Sequence, residues 1–168
     1  NQAVMDFGAL QCTPAQPGCA DCPLASRCLA LAAGTVAERP VKQSKTKVRD
    51  RWFNYLHVTC GDRTLLRRRG EGDIWQGLYE FPMIETDRAA DFSELTASEE
   101  FRTVLGGVEW RLLRSVAMPK HQLSHQTLHA VFHRIEISFP VDFPSVPTAT
   151  LGDYAVPRLI DRYLDRQP

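Results

Sequence analysis

Trp52-Phe53-Asn54-Tyr55-Leu56-His57-Val58-Thr59-Cys60-Gly61-Asp62-Arg63-Thr64-Leu65-Leu66-Arg67-Arg68-Arg69 reads as two strands around a tight turn. β-branched and aromatic residues dominate both arms, and Gly61-Asp62 supplies the hairpin between them. Downstream, Gly70 to Gly77 is a loop with three glycines that leads into Leu78-Tyr79-Glu80-Phe81-Pro82. A helix is expected over 94–105, with Ser98 or Thr96 as its cap and Gly106-Gly107 as its end. Trp110 to Ala117 and Thr127 to Ser138 alternate as strands, and 140–150 is Pro-rich loop. Pro157 suits the first turn of a C-terminal helix ending near Arg166. Residues 52–168 therefore read as an α+β domain with a mixed sheet and flanking helices. Trp52, Trp75 and Trp110 are expected in its core.

Upstream the pattern changes. Residues 34–51 show neither helical nor strand period and read as a basic connector. Residues 1–11, with Val4, Phe7, Ala9 and Leu10, read as the end of an amphipathic helix, and Leu29 to Ala33 as a short apolar turn. The chain has 168 residues, 43% apolar and 24% charged, which is globular composition. No apolar run approaches the roughly 18 residues a membrane span needs, and no signal peptide is visible. The chain opens in helix-like sequence without a Met, so a fragment of a longer protein is expected.

Net charge is zero, but it is segregated. Between Arg39 and Arg69 lie ten basic residues against Asp50 and Asp62, a surplus of +8 that the other 137 residues offset. Such a band can attract phosphates, or it can be a solvated linker.

Cys12, Cys19, Cys22 and Cys28 fall within 17 residues in the pattern C-x6-C-x2-C-x5-C, while Cys60 stands alone. An odd count without a secretion signal argues against a disulfide framework. Soft thiolates this close suit zinc or an iron–sulfur cluster. One C-x2-C with two outlying cysteines suits a cubane better than the paired ligands usual for structural zinc. Cys60 follows an apolar strand and reads as a buried thiol. His121, His125, His129 and His133 recur every four residues. On a strand that step is roughly 13 Å, too far to share one ion.

Four segments carry a resemblance. Asn1 to Cys12 resembles the last helix of the adenine DNA glycosylase (MutY) family, and the cysteine spacing matches that family's 4Fe–4S loop. Trp75-Gln76-Gly77-Leu78-Tyr79-Glu80-Phe81-Pro82 is similar to its W-x-G-L-Y-x-F-P segment. His121-Gln122-Leu123-Ser124-His125 resembles its H-x-F/L-S-H loop, and Ala155-Val156-Pro157-Arg158 its final helix. The resemblance implies three parts. Residues 1–33 end a helix-hairpin-helix glycosylase domain and carry a 4Fe–4S cluster on Cys12, Cys19, Cys22 and Cys28. Residues 34–51 form the interdomain connector, where repair proteins could dock. Residues 52–168 form a Nudix-like domain that reads 8-oxoguanine.

The resemblance implies a monomeric, cytoplasmic bacterial protein that carries out base-excision repair of double-stranded DNA at the nucleoid. The parent removes adenine mispaired with 8-oxoguanine (or guanine) after flipping it from the stack. The family's catalytic Glu and Asp lie upstream of this sequence, so the chain alone is expected to be inactive. Ser124 is the expected reader, with His125, Leu123 and Gln122. Oxidation turns guanine N7 into a donor and adds an acceptor at C8, and a hydroxyl can answer both. Lys42, Lys45, Lys47, Arg49 and His121 are expected at the DNA backbone. No basic residue lies between Cys12 and Cys19, unlike the family pattern.

Two other functions compete. A Nudix-type nucleotide hydrolase needs a carboxylate-rich helix to hold divalent cations. The corresponding Ser98-Glu99-Glu100-Phe101-Arg102-Thr103-Val104-Leu105-Gly106 has Val104 and Leu105 where the box needs paired carboxylates. A zinc-bearing interaction module is the other alternative.

Overall fold

A computed structural model describes residues 2–39, 41 and 48–166. The chain divides into two compact units, Asn1–Thr46 and Lys47–Pro168. The first carries α1 (Gln2–Gln11) and α2 (Leu29–Ala32), with 3-10 turns at Ala25–Arg27 and Val36–Glu38. The second turn falls in the stretch expected to be irregular.

The second unit contains β1 (Arg49–Cys60), β2 (Arg63–Leu65), β3 (Arg67–Arg68), β4 (Tyr79–Glu80) and β5 (Met83–Thr86). It continues with α3 (Phe92–Ala97), α4 (Glu99–Leu105), β6 (Trp110–Ala117), β7 (His121–Gln122), β8 (Gln126–Ile137), β9 (Ser145–Pro147) and α5 (Arg158–Leu164). The main sheet runs β6-β8-β1-β2-β9, with β5 also on β1 and β7 also on β8. β1 and β8 are parallel, and the other pairs antiparallel, so the sheet is mixed.

β1 lies at the centre and is buried on both faces, which explains its nearly continuous apolar run. Alternation sends Phe53 and Tyr55 to one face and Leu56 and Val58 to the other. The first face packs with Phe132, Phe81 and α5 residues Leu159, Ile160 and Tyr163. The second packs with Leu95 of α3 and Phe101 and Leu105 of α4. The result is a sheet between two helical layers, the α+β architecture expected.

The Gly61-Asp62 hairpin forms, with Cys60 opposite Arg63 and Gly61 at φ 57°, a conformation glycine adopts without penalty. Several expectations are corrected. The first strand begins at Arg49, because Arg49 to Arg51 pair with Gln126 to Leu128. The arm after the hairpin breaks at Leu66, whose side chain turns into the core while its N–H donates to the Pro144 carbonyl (2.9 Å). β3 then pairs with β4 in a separate small sheet. The helix expected over 94–105 is two helices. Ser98 is extended between them, and its Oγ accepts from Phe101 N–H (3.2 Å) while donating to the Leu95 carbonyl (2.7 Å). The Pro-rich segment holds β9 and a 3-10 helix, Thr148–Asp153. Trp52 and Trp75 are only half-buried and Trp110 is 40% exposed. Phe and Tyr rings fill the core instead. Cys60 is half-buried at its edge.

Candidate functional site

Two places gather the residues singled out from the sequence. In the first unit Cys12, Cys19, Cys22 and Cys28 line one cavity with Gln11, Gly18, Ala25 and Leu31. Short main-chain bonds coil the chain around it: Cys22 N–H to the Cys19 carbonyl (3.3 Å), Ala25 N–H to Cys22 (3.0 Å) and Cys28 N–H to Ala25 (3.2 Å). Gly18 N–H donates to the Gln11 carbonyl (3.0 Å), closing the loop back onto α1. All four thiols are free, Cys12 exposed and the others half-buried. Among the described residues no three His, Cys, Asp or Glu side chains converge as a single-ion group. The cysteines thus encircle a space without meeting at one point.

In the second unit β7 and β8 form a hairpin whose tip is Ser124-His125. His121 pairs with Leu128 and Gln122 with Thr127, and Leu123 N–H donates to the Gln126 carbonyl (2.8 Å). Leu123 packs on the first core cluster, while Gln122, Ser124 and His125 are exposed. The Ser124 hydroxyl makes no hydrogen bond among the described residues. The His125 carbonyl accepts from Arg49 N–H (3.1 Å), which binds the tip to the first strand. Thr127 Oγ1 donates to Gln122 Oε1 (3.2 Å). The hydroxyl is therefore presented on a short, anchored turn.

The Trp75 segment meets this hairpin. Trp75 has φ 63°, unusual for a bulky residue and strained by about 1–3 kcal/mol. That turn sets its indole edge-on to Phe53 (6.4 Å between centroids) and to His121 (5.9 Å). Tyr79 N–H donates to the Ala155 carbonyl (2.8 Å), so the third motif joins as well. Burial, then the nearby Arg162, lowers the pKa of His121 and favours its neutral form.

Beneath these loops lies a buried ion network that the sequence reading missed. The Arg51 side chain is 7% exposed. It donates to Glu85 (2.7 and 2.5 Å), to Asp73 (2.6 and 2.8 Å) and to Gln126 Oε1 (3.1 Å). Arg69 bridges Asp73 (2.8 Å) and the buried Glu80, and Arg67 also pairs with Glu80 (3.1 Å). Hydrogen bonding from Arg51 holds the Asp73 carboxyl down at about 2. Gln126 ends the Ser124 turn and Asp73 precedes Trp75, so Arg51 joins the two loops. A signal existed: once the strand starts at Arg49, alternation places Arg51 on the same face as Phe53 and Tyr55.

This network corrects the charge reading. Arg51, Arg67 and Arg69 are spent on Glu85, Asp73 and Glu80, so the +8 count overstates the field. Arg49 is 72% exposed, 3.6 Å from Glu85. Lys42, Lys45 and Lys47 lie outside the described residues. The regularly spaced histidines have separate partners. His129 stacks on Trp52 (4.8 Å) and bonds Asp50 (2.7 Å), while His133 bonds Ser115 (2.8 Å).

On α4, Leu105 is 1% exposed and Val104 packs against the same cluster. They serve the core where a hydrolase box would carry carboxylates.

Known proteins share this fold and part of this sequence. The NUDIX domain model matches residues 54–166. The adenine DNA glycosylase of Buchnera aphidicola subsp. Schizaphis graminum (strain Sg) is 26% identical over 152 residues, covering 85% of this chain and 39% of that protein. The adenine DNA glycosylase of Arabidopsis thaliana is 31% identical over 105 residues, 54% of this chain and 17% of that protein. The chain thus spans well under half the length of these curated relatives. Among solved structures, the MutT protein from Methanosarcina mazei Go1 aligns with a TM-score of 0.53 at 14% identity, covering 71% of this chain and 93% of that one. The E. coli ORF135 protein aligns at 0.51 and 15% identity, covering 70% and 91%. These structural likenesses speak for the fold. No described helix is long and apolar enough to cross a membrane. The chain belongs to the NUDIX domain family and is related by sequence to adenine DNA glycosylases.

Proposed function

We propose that this chain serves base-excision repair as the part of an adenine DNA glycosylase that recognises 8-oxoguanine opposite adenine in duplex DNA. One observation carries the reading. Ser124, a hydroxyl able to donate and accept, stands exposed and unbonded at a hairpin tip whose neighbour Leu123 is anchored in the core. Its oxygen can accept from the N7–H of the oxidised base and its hydrogen can reach O8, whereas guanine has no donor at N7 and no oxygen at C8. His125 is the flanking contact, and Gln122 steadies the hairpin through Thr127. Arg49 and the connector lysines Lys42, Lys45 and Lys47 would meet backbone phosphates. The connector is also where a partner repair protein would dock. No adenine-excising acid or nucleophile is assigned in this chain.

The cysteine cavity is proposed as a 4Fe–4S site. Four thiolates around a shared space suit a 4Fe–4S cluster, in which each would take one iron, whereas one zinc needs them converged on a point. Cys12, Cys19, Cys22 and Cys28 would hold it, and when bound it would cross-link the loop and fix its conformation. The NUDIX fold alone would allow nucleotide hydrolysis. The apolar Val104 and Leu105, packed into the second core cluster, favour recognition instead.

The test is titration of 8-oxoguanine:adenine and guanine:adenine duplexes with wild type and Ser124→Ala. Loss of one hydrogen bond of about 0.5–1.5 kcal/mol predicts a roughly two- to tenfold weaker hold on the oxidised duplex and little change on the other. Equal losses on both would refute Ser124 as the reader.

A further inference from the structure

Beside the reader hairpin the second unit carries a cavity of about 290 Å³ lined by Met118, Pro119, His121, Leu159, Arg162, Asp165 and Arg166. Its floor is built: Leu159 and Met118 are buried and belong to the first core cluster. Its mouth is polar. Arg162 and Arg166 come from the end of α5 and the residues just after it, while His121 comes from β7. Arg158, one turn earlier, is already paired with Asp161. Arg162 and Arg166 have no carboxylate partner within salt-bridge distance among the described residues, and neither ring nitrogen of His121 is hydrogen-bonded there. Asp165 is the one carboxylate at the rim, so two guanidiniums outweigh it. The partial negative charge at the end of α5 opposes an anion, but it is worth well under the charge of two arginines for a two-turn helix.

We propose that this cavity holds a backbone phosphodiester of the strand whose oxidised base Ser124 reads, with Arg162 and Arg166 pairing the anionic oxygens and His121 donating a hydrogen bond. The assignment rests on the recognition reading above. His121 lies three residues before Ser124 in the same hairpin, so a phosphate here sits beside the base being read. Edge contact with Trp75 fixes the His121 ring. Arginine supplies planar, paired donors suited to phosphate oxygens. The contact is with the backbone, so it should position the duplex without sensing oxidation.

The test uses the full 168-residue chain and both duplexes. Arg162→Gln should weaken both duplexes alike and reduce the dependence of log affinity on log salt by about 0.9, the value for one phosphate. Ser124→Ala, by contrast, acts on the oxidised duplex alone. NMR titration of the imidazoles adds a second readout: duplex binding should raise the His121 pKa in wild type and much less in Arg162→Gln, since a phosphate stabilises the imidazolium. An unchanged salt slope with an unmoved His121 overturns the phosphate site while leaving Ser124 recognition standing. A slope change without Ser124 discrimination upholds the site and overturns the reader. If millimolar inorganic phosphate moves His121 but duplex does not, the cavity takes free phosphate and the DNA assignment falls.

Discussion

Replacing Arg51 should strongly destabilise the second unit, because its side chain ties three elements into one ion network. Its guanidinium is 7% exposed and makes five hydrogen bonds, four of them to carboxylates. Breaking a buried ion pair by removing one partner costs about 3–5 kcal/mol, because the charge left behind is unpaired. Here the abandoned carboxylates are not stranded. Asp73 keeps Arg69 and is 37% exposed, while Glu85 keeps Arg49 at 3.6 Å and is 30% exposed. The lower end, about 3 kcal/mol, is therefore expected for Arg51→Met, roughly a hundredfold in the folding equilibrium. Urea unfolding at neutral pH reads this as a midpoint lowered by about 1–2 M at ordinary slopes. Arg51→Lys keeps the charge but cannot serve Glu85, Asp73 and Gln126 together, so it should fall between. Acid titration is the second arm. Asp73 is depressed from 3.8 to about 2, so its contribution is complete above 3.8 and is lost as pH falls through about 2. A depression of that size is worth about 2 kcal/mol for a buried carboxylate, and solvent screening reduces it to about 1 kcal/mol here. The Arg51→Met protein should show a smaller acid-side loss, since Asp73 then keeps only Arg69 and the Ile74 N–H. A midpoint shift corresponding to less than about 1 kcal/mol, or an unchanged acid limb, would show that the network is not cooperative and would refute the argument.

Three more outcomes follow from the same residues. His57 is buried against Phe81, with its pKa lowered to about 4 mainly by desolvation, so stability should fall as pH drops from 6.5 towards 4. His133, also lowered to about 4 by burial, contributes over the same range, so His57→Phe should reduce that limb of a urea-midpoint profile without abolishing it, and an unchanged limb would refute the assignment to His57. Iron and sulfide analysis of anaerobically purified protein should find about four of each per chain, and Cys22→Ser should lower both. One zinc per chain without iron would overturn the cluster reading. The 168-residue chain should show neither adenine excision nor Mg²⁺-dependent nucleotide hydrolysis, and measurable turnover of either kind, with contamination excluded, would overturn that assignment.

Much of the architecture was legible locally. The β1–β2 hairpin, β6, β8, the terminal helices and the Ser98 cap follow from residue type and spacing, because side-chain alternation and turn chemistry act between neighbours in the chain. The four cysteines were legible for the same reason, since 17 residues of loop bring them to one cavity with only short-range bonds. Ser124 was visible as a hydroxyl in a motif. What could not be read was which partners long-range folding would supply. β5 is short, and its partner is β1, far back in the chain. Leu66 breaks its strand because its side chain enters the core beside residues far away in sequence. The arginines of the basic stretch looked like one positive band, but Arg51 meets Glu85 34 residues away and Gln126 75 residues away. Local sequence thus determined which elements form and which groups can react. The tertiary structure decided which charges are neutralised and which remain at the surface, because a carboxylate's effect depends on distance in space and on exclusion of water.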